Sequence, residues 1–187
     1  MKIVKRREDE VVNGEADSFG RDFLGLLVHA YRDLGEKNRL SLEDLVDECK
    51  TFYLAGQETV NSLLAWTILL LAIHGHWQEK ERREVIQIFG NQNPHVEGIA
   101  KLKTRFTEGI ARATKYNSAA YFPFGLGPRS CVGMTFATTE TKIVLSMILQ
   151  RYTITLSPAY VHSPMTIITL QPQHGIQITL ESLHNDA

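Results

Sequence analysis

The chain has 187 residues, 43% of them hydrophobic and 22% charged, which is the composition of a globular core and not of a disordered or fibrous chain. A net charge of −1 gives no electrostatic case for a nucleic-acid partner. The two cysteines, Cys49 and Cys131, suggest neither a disulfide framework nor a paired-cysteine zinc site, and the charged N-terminus MKIVKRREDE lacks the apolar core of a signal peptide.

Residues 1–18 are polar, with Lys5, Arg6 and Arg7 running into Glu8, Asp9 and Glu10. Mixed charge of this kind predicts a solvated helix end and a loop. Phe23, Leu24, Leu27, Val28 and Tyr31 recur at helical spacing, and Gly35 closes that helix. A long helix is then expected from Ser41, an N-cap with Asp44 at the capping-box position. Leu42, Leu45, Val46, Cys49, Phe52 and Tyr53 form its first stripe, and the pattern continues without proline to about His74. At 1.5 Å per residue this is a rod of roughly 50 Å. Its second half is apolar almost all round, which predicts neighbours on most sides. The most apolar run, 63–73, is too short to cross a bilayer.

Inside that rod lies Ala55-Gly56-Gln57-Glu58-Thr59. Glycine in mid-helix costs roughly 1 kcal/mol against alanine. One reading is a local kink, with Thr59 bonding back one turn. The other is a widened helix over a small-molecule site, where Thr59 donates to a bound oxygen species and Glu58 relays protons.

Residues 77–89, WQEKERREVIQIF, predict an amphipathic helix ended by Gly90 and the turn to Pro94. Glu79 with Arg82, and Glu36 with Arg39, read as surface i,i+3 pairs. Residues 91–121 form a polar junction. Then comes FGLGPRSCVG, residues 124–133. Gly125, Gly127 and Gly133 permit turns and close approach, and Pro128 stiffens the loop. Cys131 falls at a helix start, where free amides and the dipole stabilise a thiolate. The bland alternative is a glycine-rich turn with a buried cysteine. Phe136, Ile143, Val144, Met147 and Ile148 form a stripe of 3.6-residue period that predicts a helix ending near Arg151. Residues 153–156, 165–170 and 175–180 are β-rich, with a hairpin connection expected at 172–175.

Phe124, Gly127, Arg129, Cys131 and Gly133 stand in the order Phe-x-x-Gly-x-Arg-x-Cys-x-Gly, which resembles the haem-binding loop of the cytochrome P450 family, haem-thiolate monooxygenases. Five such fixed positions recur by chance on the order of once in tens of thousands of chains this long. Ala55, Gly56, Glu58 and Thr59 likewise resemble that family's central helix, with Val60 departing where a second hydroxyl is usual. The wording of the chain is most similar to the plant microsomal branch.

The resemblance implies a mainly α fold with a small C-terminal antiparallel β region, and the C-terminal half of the family only. Its expected segments are a leading helix and loop (1–40), the central helix (41–74), a following helix (77–89), a shortened junction (91–121), the haem loop and helix (122–151) and C-terminal strands (152–187). The family's Glu-x-x-Arg helix and much of its sheet are missing, which implies an internal deletion near Thr104 and Arg105, and the missing parts should leave much of the central helix exposed.

By the same resemblance Cys131 is the ligand of the iron of haem b, Arg129 pairs with a propionate, Phe124 packs near the sulfur, and Gly133 leaves amides for it. Ala55 and Gly56 leave room for oxygen, and Glu58 and Thr59 are catalytic. The implied reaction inserts one atom of O2 into an apolar organic substrate. Electrons come from NADPH through a flavoprotein reductase, met by Arg112, Lys115 and Lys142 at the endoplasmic reticulum membrane. Two other readings stay open: an inactive haem-thiolate fragment, and a helical interaction module without haem.

Overall fold

The computed structural model describes residues 2–33, 35, 39–102 and 124–183. It is mainly helical, with two small antiparallel sheets, as the sequence predicts. The chain divides into two compact units, Met1–Ala55 and Gly56–Ala187. Among the described residues the helices are α1 (Lys2–Val12), α2 (Phe23–Arg32), α3 (Leu42–Ile73), α4 (Gly75–Phe89), α5 (Val96–Lys101) and α6 (Met134–Arg151). The strands are β1 (Tyr152–Leu156), β2 (Pro164–Thr166), β3 (Leu170–Pro172) and β4 (Ile178–Ser182).

In the first unit, Val4, Leu27, Val28 and Leu45 form a core, lined by Phe19, Leu24, Tyr31, Leu40 and Cys49. One carboxylate organises it. Asp22 caps α2 by accepting from Gly25 N at 2.8 Å, and it also takes Arg7 side-on, with Nη2 to Oδ2 at 2.6 Å. Arg7 further donates to Phe19 O at 3.0 Å. The basic cluster of α1 is therefore more than a solvated face, because the apolar contact of α1 with α2 brings Arg7 onto the α2 cap. Gly25 is required there, since a Cβ would sit 2.2 Å from Gly20 O. The capping box of α3 is as expected: Asp44 N donates to Ser41 Oγ at 3.0 Å and Ser41 N to Asp44 Oδ2 at 2.9 Å. The stripe of α3 is only partly inward. Leu45 is buried, whereas Leu42, Phe52 and Tyr53 are exposed, with the Phe52 ring against Phe23.

The second unit is built on Val85, Phe89, Ile99, Leu102 and Leu149, with Ile88 and Ile143 at its edge. Gly98 lets α5 close on α4, because a Cβ there would meet Phe89 Cε1 at 2.1 Å. The inward face of α6 is Thr141, Leu145, Ser146, Leu149 and Gln150. Of the expected stripe, Ile143 packs on this core and Val144 and Ile148 are half-buried, whereas Phe136 and Met147 are exposed. A helix apolar on two sides leaves periodicity undecided about which side is covered. The β pairing also differs from the sequence expectation. Residues 165–170 are no single strand: a turn at 167–169 folds β3 back on β2, with Met165 opposite Gln171. The 172–175 turn, with Gly175 at φ 70°, leads towards β4, which pairs with β1 instead. It therefore joins strands of two sheets and is no hairpin.

Arg82 corrects the surface-pair reading. Its bond to Glu79 exists at 3.1 Å, but the guanidinium is buried, at 5% exposure. Nη1 donates to Leu149 O and, at 2.8 Å, to Tyr152 O, while Nη2 donates to Gln78 Oε1 at 2.8 Å. Sequence spacing showed the Glu79 partner, but packing of α4 on α6 decided the burial. Gln78 in turn donates to Ile154 O at 2.8 Å and accepts from Ile154 N at 2.9 Å. The cation thus satisfies the last carbonyls of α6, where the dipole favours positive charge. Glu36, of the second expected surface pair, lies outside the described residues.

The second half of α3 buries Val60, Thr67, Leu69 and Leu71, while Leu63, Leu70 and Ile73 stay exposed. The predicted all-round cover is absent among the described residues, as expected of a chain lacking the family's neighbouring parts. By length and composition alone the whole of α3 would suffice to cross a membrane, unlike the run 63–73.

Two outcomes test this architecture. The Asp22 carboxyl is held well below the ordinary carboxylate range, first by Arg7 and then by the Gly25 amide. A depressed carboxylate contributes stability above its unfolded pKa of about 4 and loses it as pH falls further. The protection of α1 and α2 amides, measured relative to their intrinsic exchange rates, should fall on acidification below that point, and Asp22→Asn should flatten the dependence. Arg82→Met strands several carbonyl groups and should lower the urea-unfolding free energy by at least about 3 kcal/mol. Arg83→Ala, which loses only an exposed pair with Glu79, should change it by under about 0.5 kcal/mol.

Candidate functional site

The loop at 124–133 is closed by its own backbone. Cys131 N donates to Phe124 O at 2.7 Å, so the two ends of the motif are tied together. Two turns make that closure possible, Gly125 at φ 70° and Gly127 at φ 72°, where a Cβ would be strained. Gly127–Arg129 forms a 3-10 turn with Pro128 inside it, ended by Ser130 N bonding Gly127 O at 3.0 Å.

The helix α6 then starts at Met134 with Gly133 as its N-cap and no side-chain cap. The first amides of α6 are therefore not taken by a capping side chain, and they suit an anion at that end. Cys131 is exposed and free, and a Cβ on Gly133 would lie 3.9 Å from its Sγ. Gly133 thus keeps space beside the sulfur. Arg129 is exposed and has no ion-pair partner among the described residues. Phe124 is half-buried.

This arrangement fits a haem. Among the described residues no cluster of three His, Cys, Asp or Glu could hold a bare metal ion. A metal taken by Cys131 alone must bring its remaining ligands with it, as a haem iron does. Large apolar side chains at Leu126, Val132, Met134 and Phe136 are exposed around the cysteine in sequence, as a flat apolar group requires. A small cavity elsewhere in the unit, of about 10 Å³, is lined by Glu81, Val85, Leu102, Lys142, Leu145, Ser146 and Leu149. It has room for about one water and none for an organic ligand.

The second motif sits on α3, whose α-helix runs unbroken through Gly56, so the widened turn is not seen. An added Cβ at Gly56 would meet nothing within 4 Å, so space is open there. Ala55, the last residue of the first unit, and Thr59 are exposed. Glu58 is half-buried, and its Oε1 accepts from Gln171 Nε2 and, at 3.5 Å, from Thr169 Oγ1. Ser62 Oγ and Trp66 Nε1 both donate to Leu170 O, at 2.6 and 2.7 Å.

The structure thus brings Glu58 to the C-terminal hairpin, a partner the sequence reading did not foresee. The available signal was the polar spacing Glu58, Ser62, Trp66, four residues apart in an apolar helix. Of the basic residues expected to meet a partner, Lys142 is half-buried and donates to Leu102 O at 3.3 Å. Arg112 and Lys115 lie outside the described residues.

The sequence model of the family Cytochrome P450 matches residues 1–105 and 103–180. Cytochrome P450 CYP749A22 of Panax ginseng is 44% identical over 247 positions, covering 98% of this chain and 47% of that protein. The 11-oxo-beta-amyrin 30-oxidase of Glycyrrhiza uralensis is 37% identical, covering 97% of this chain and 47% of its own length. The 7-deoxyloganic acid hydroxylase of Catharanthus roseus is 32% identical, with 97% and 48% covered. The chain spans about half the length of the curated relatives it matches. Since the ginseng alignment runs over 247 positions against 187 residues, at least 60 positions have no counterpart here. The two family matches meet at residues 103–105, where the sequence reading put the deletion.

Among solved structures, cytochrome P450 CYP102L1 superposes with a TM-score of 0.75 at 19% identity, covering 98% of this chain and 55% of that one. The heme domain of cytochrome P450DA gives 0.73 at 23% identity, with 96% and 53% covered. These likenesses establish the fold.

The exposure of the two thiols gives a direct check of the loop. Cys131 should react at once with a thiol reagent such as dithionitrobenzoate, with Cys49, half-buried in the first unit, following more slowly. Cys131→Ser should remove the fast phase alone.

Proposed function

Because the chain belongs to the cytochrome P450 family, we propose that it is the haem-ligating and proton-handling portion of a monooxygenase that inserts one atom of O2 into an apolar organic molecule. The observation that carries this is the lone exposed Cys131, presented by a backbone-closed loop at the uncapped start of α6. When bound there, haem b supplies a thiolate-ligated iron, the ligation that favours O–O cleavage.

The chain's own residues have distinct tasks. Cys131 donates the sulfur, and the first amides of α6 temper its charge. Arg129, free of protein partners among the described residues, pairs with a propionate. Phe124 would pack near the sulfur and limit its contact with solvent once haem is bound. On α3, Ala55 and Gly56 leave space, Thr59 donates a hydrogen bond, and Glu58 holds and passes a proton.

Electrons reach such a site from NADPH through a flavoprotein reductase, and the working location is the endoplasmic reticulum membrane. The relatives named for 11-oxo-beta-amyrin and for 7-deoxyloganic acid support an organic substrate of plant metabolism and differ in which one.

A second reading, an inactive haem-thiolate fragment, is favoured by the missing 60 or more positions and by the exposure of Cys131. Reconstitution with haem separates the two. The reduced, carbon monoxide-treated chain should show the strongly red-shifted Soret band of a thiolate-ligated haem, and Cys131→Ser should lose it. Absence of the band from the unaltered chain would leave the fragment reading.

A further inference from the structure

Glu58, Ser62 and Trp66 lie four residues apart on α3 and so share one face. All three meet the same turn. The Leu170 carbonyl receives both Ser62 Oγ and Trp66 Nε1, at 2.6 and 2.7 Å. The Trp66 ring also stands edge-on to His162, with centroids 5.8 Å apart. Ile167 N bonds Thr169 O at 3.2 Å and keeps the turn tight. These contacts fix Leu170 on the helix without any help from Glu58. They leave the side chains on either side of it, Thr169 and Gln171, pointing their donors at Glu58 Oε1.

Two donors on one oxygen define the plane and rotation of a carboxylate that would otherwise turn freely on a long side chain. The other oxygen, Oε2, has no hydrogen-bond partner among the described residues. The two oxygens are thereby made inequivalent, one held and one open. Gln171 is the closer donor, and an amide N–H cannot take up the proton that the carboxylate carries.

We propose that Gln171, assisted by Thr169, is the positioning residue for Glu58, holding Oε1 so that Oε2 is the atom that takes and gives the proton. This rests on the proton-handling role of Glu58 proposed above. Proton handling on α3 then depends on a docked C-terminal hairpin, which is far away in sequence.

The test uses the full haem-free chain, labelled with 13C at glutamate carboxyls, with the Glu58 signal assigned by its loss in Glu58→Gln. A Trp77→Phe background leaves Trp66 as the single tryptophan and reporter of hairpin docking. Gln171→Met, close in length but without a donor, should shift the Glu58 carboxyl signal while Trp66 emission stays put. Ser62→Ala, which loses a hairpin bond without touching Glu58, should leave the carboxyl signal in place. Gln171→Leu repeats the test should the first variant fold poorly. An unmoved Glu58 signal in the Gln171 variants overturns the proposal. So does a Trp66 shift in step with it, which would make Gln171 a docking residue only. The measurement needs no haem, so its failure is separate from a failure of the carbon monoxide test.

Discussion

A guanidinium enclosed by protein holds the second unit together. Arg82 leaves α4 and ends among carbonyls from the close of α6 and the start of β1. An enclosed cation is tolerable only when its donors are all used, and here one fork serves a helix end, a strand start and the Gln78 amide. Because α6 is a single rod from Met134 to Arg151, fixing its last turn also fixes the axis along which its first turn presents Cys131. The loop at 124–133 then needs only local closure, through Phe124 and Cys131, to be placed.

The parts of this fold that were legible in the sequence are those decided within a few residues. The Ser41–Asp44 box is a local exchange of hydrogen bonds, and the structure contains it. The loop glycines are likewise local, with Gly125 and Gly127 in the left-handed region that the motif requires. What escaped was decided by partners distant in the chain. Arg82 carried a local acid three residues away, and nothing in that spacing marks it as buried. Asp22 gains its second partner, Arg7, from α1, fifteen residues away. Residues 165–170 have strand-forming side chains throughout, but the carbonyl of Leu170 is held by two α3 donors and a turn results.

The candidate site shows the same division. Cysteine, glycines and arginine of the loop are named from the motif spacing, and the structure places them on one backbone-closed loop at the start of α6. Glu58 could be named too, but its surroundings could not, because Gln171 is more than a hundred residues further on. The apolar pattern of α3 asks for cover on most sides, the missing parts imply that much of it is exposed, and Leu63, Leu70 and Ile73 are exposed. Such a pattern is that of a helix surrounded on most sides. The relatives it matches are more than twice as long as this chain.

The Gln78 amide has a consequence for one edge of the sheet. By donating to Ile154 O and accepting from Ile154 N, it behaves as a peptide group of a neighbouring strand would. With β4 along one side of β1 and Gln78 on the other, the middle of β1 offers no open ladder to a second molecule. A single glutamine on a helix thus does the work of an extra strand along the β1 edge of this two-stranded sheet.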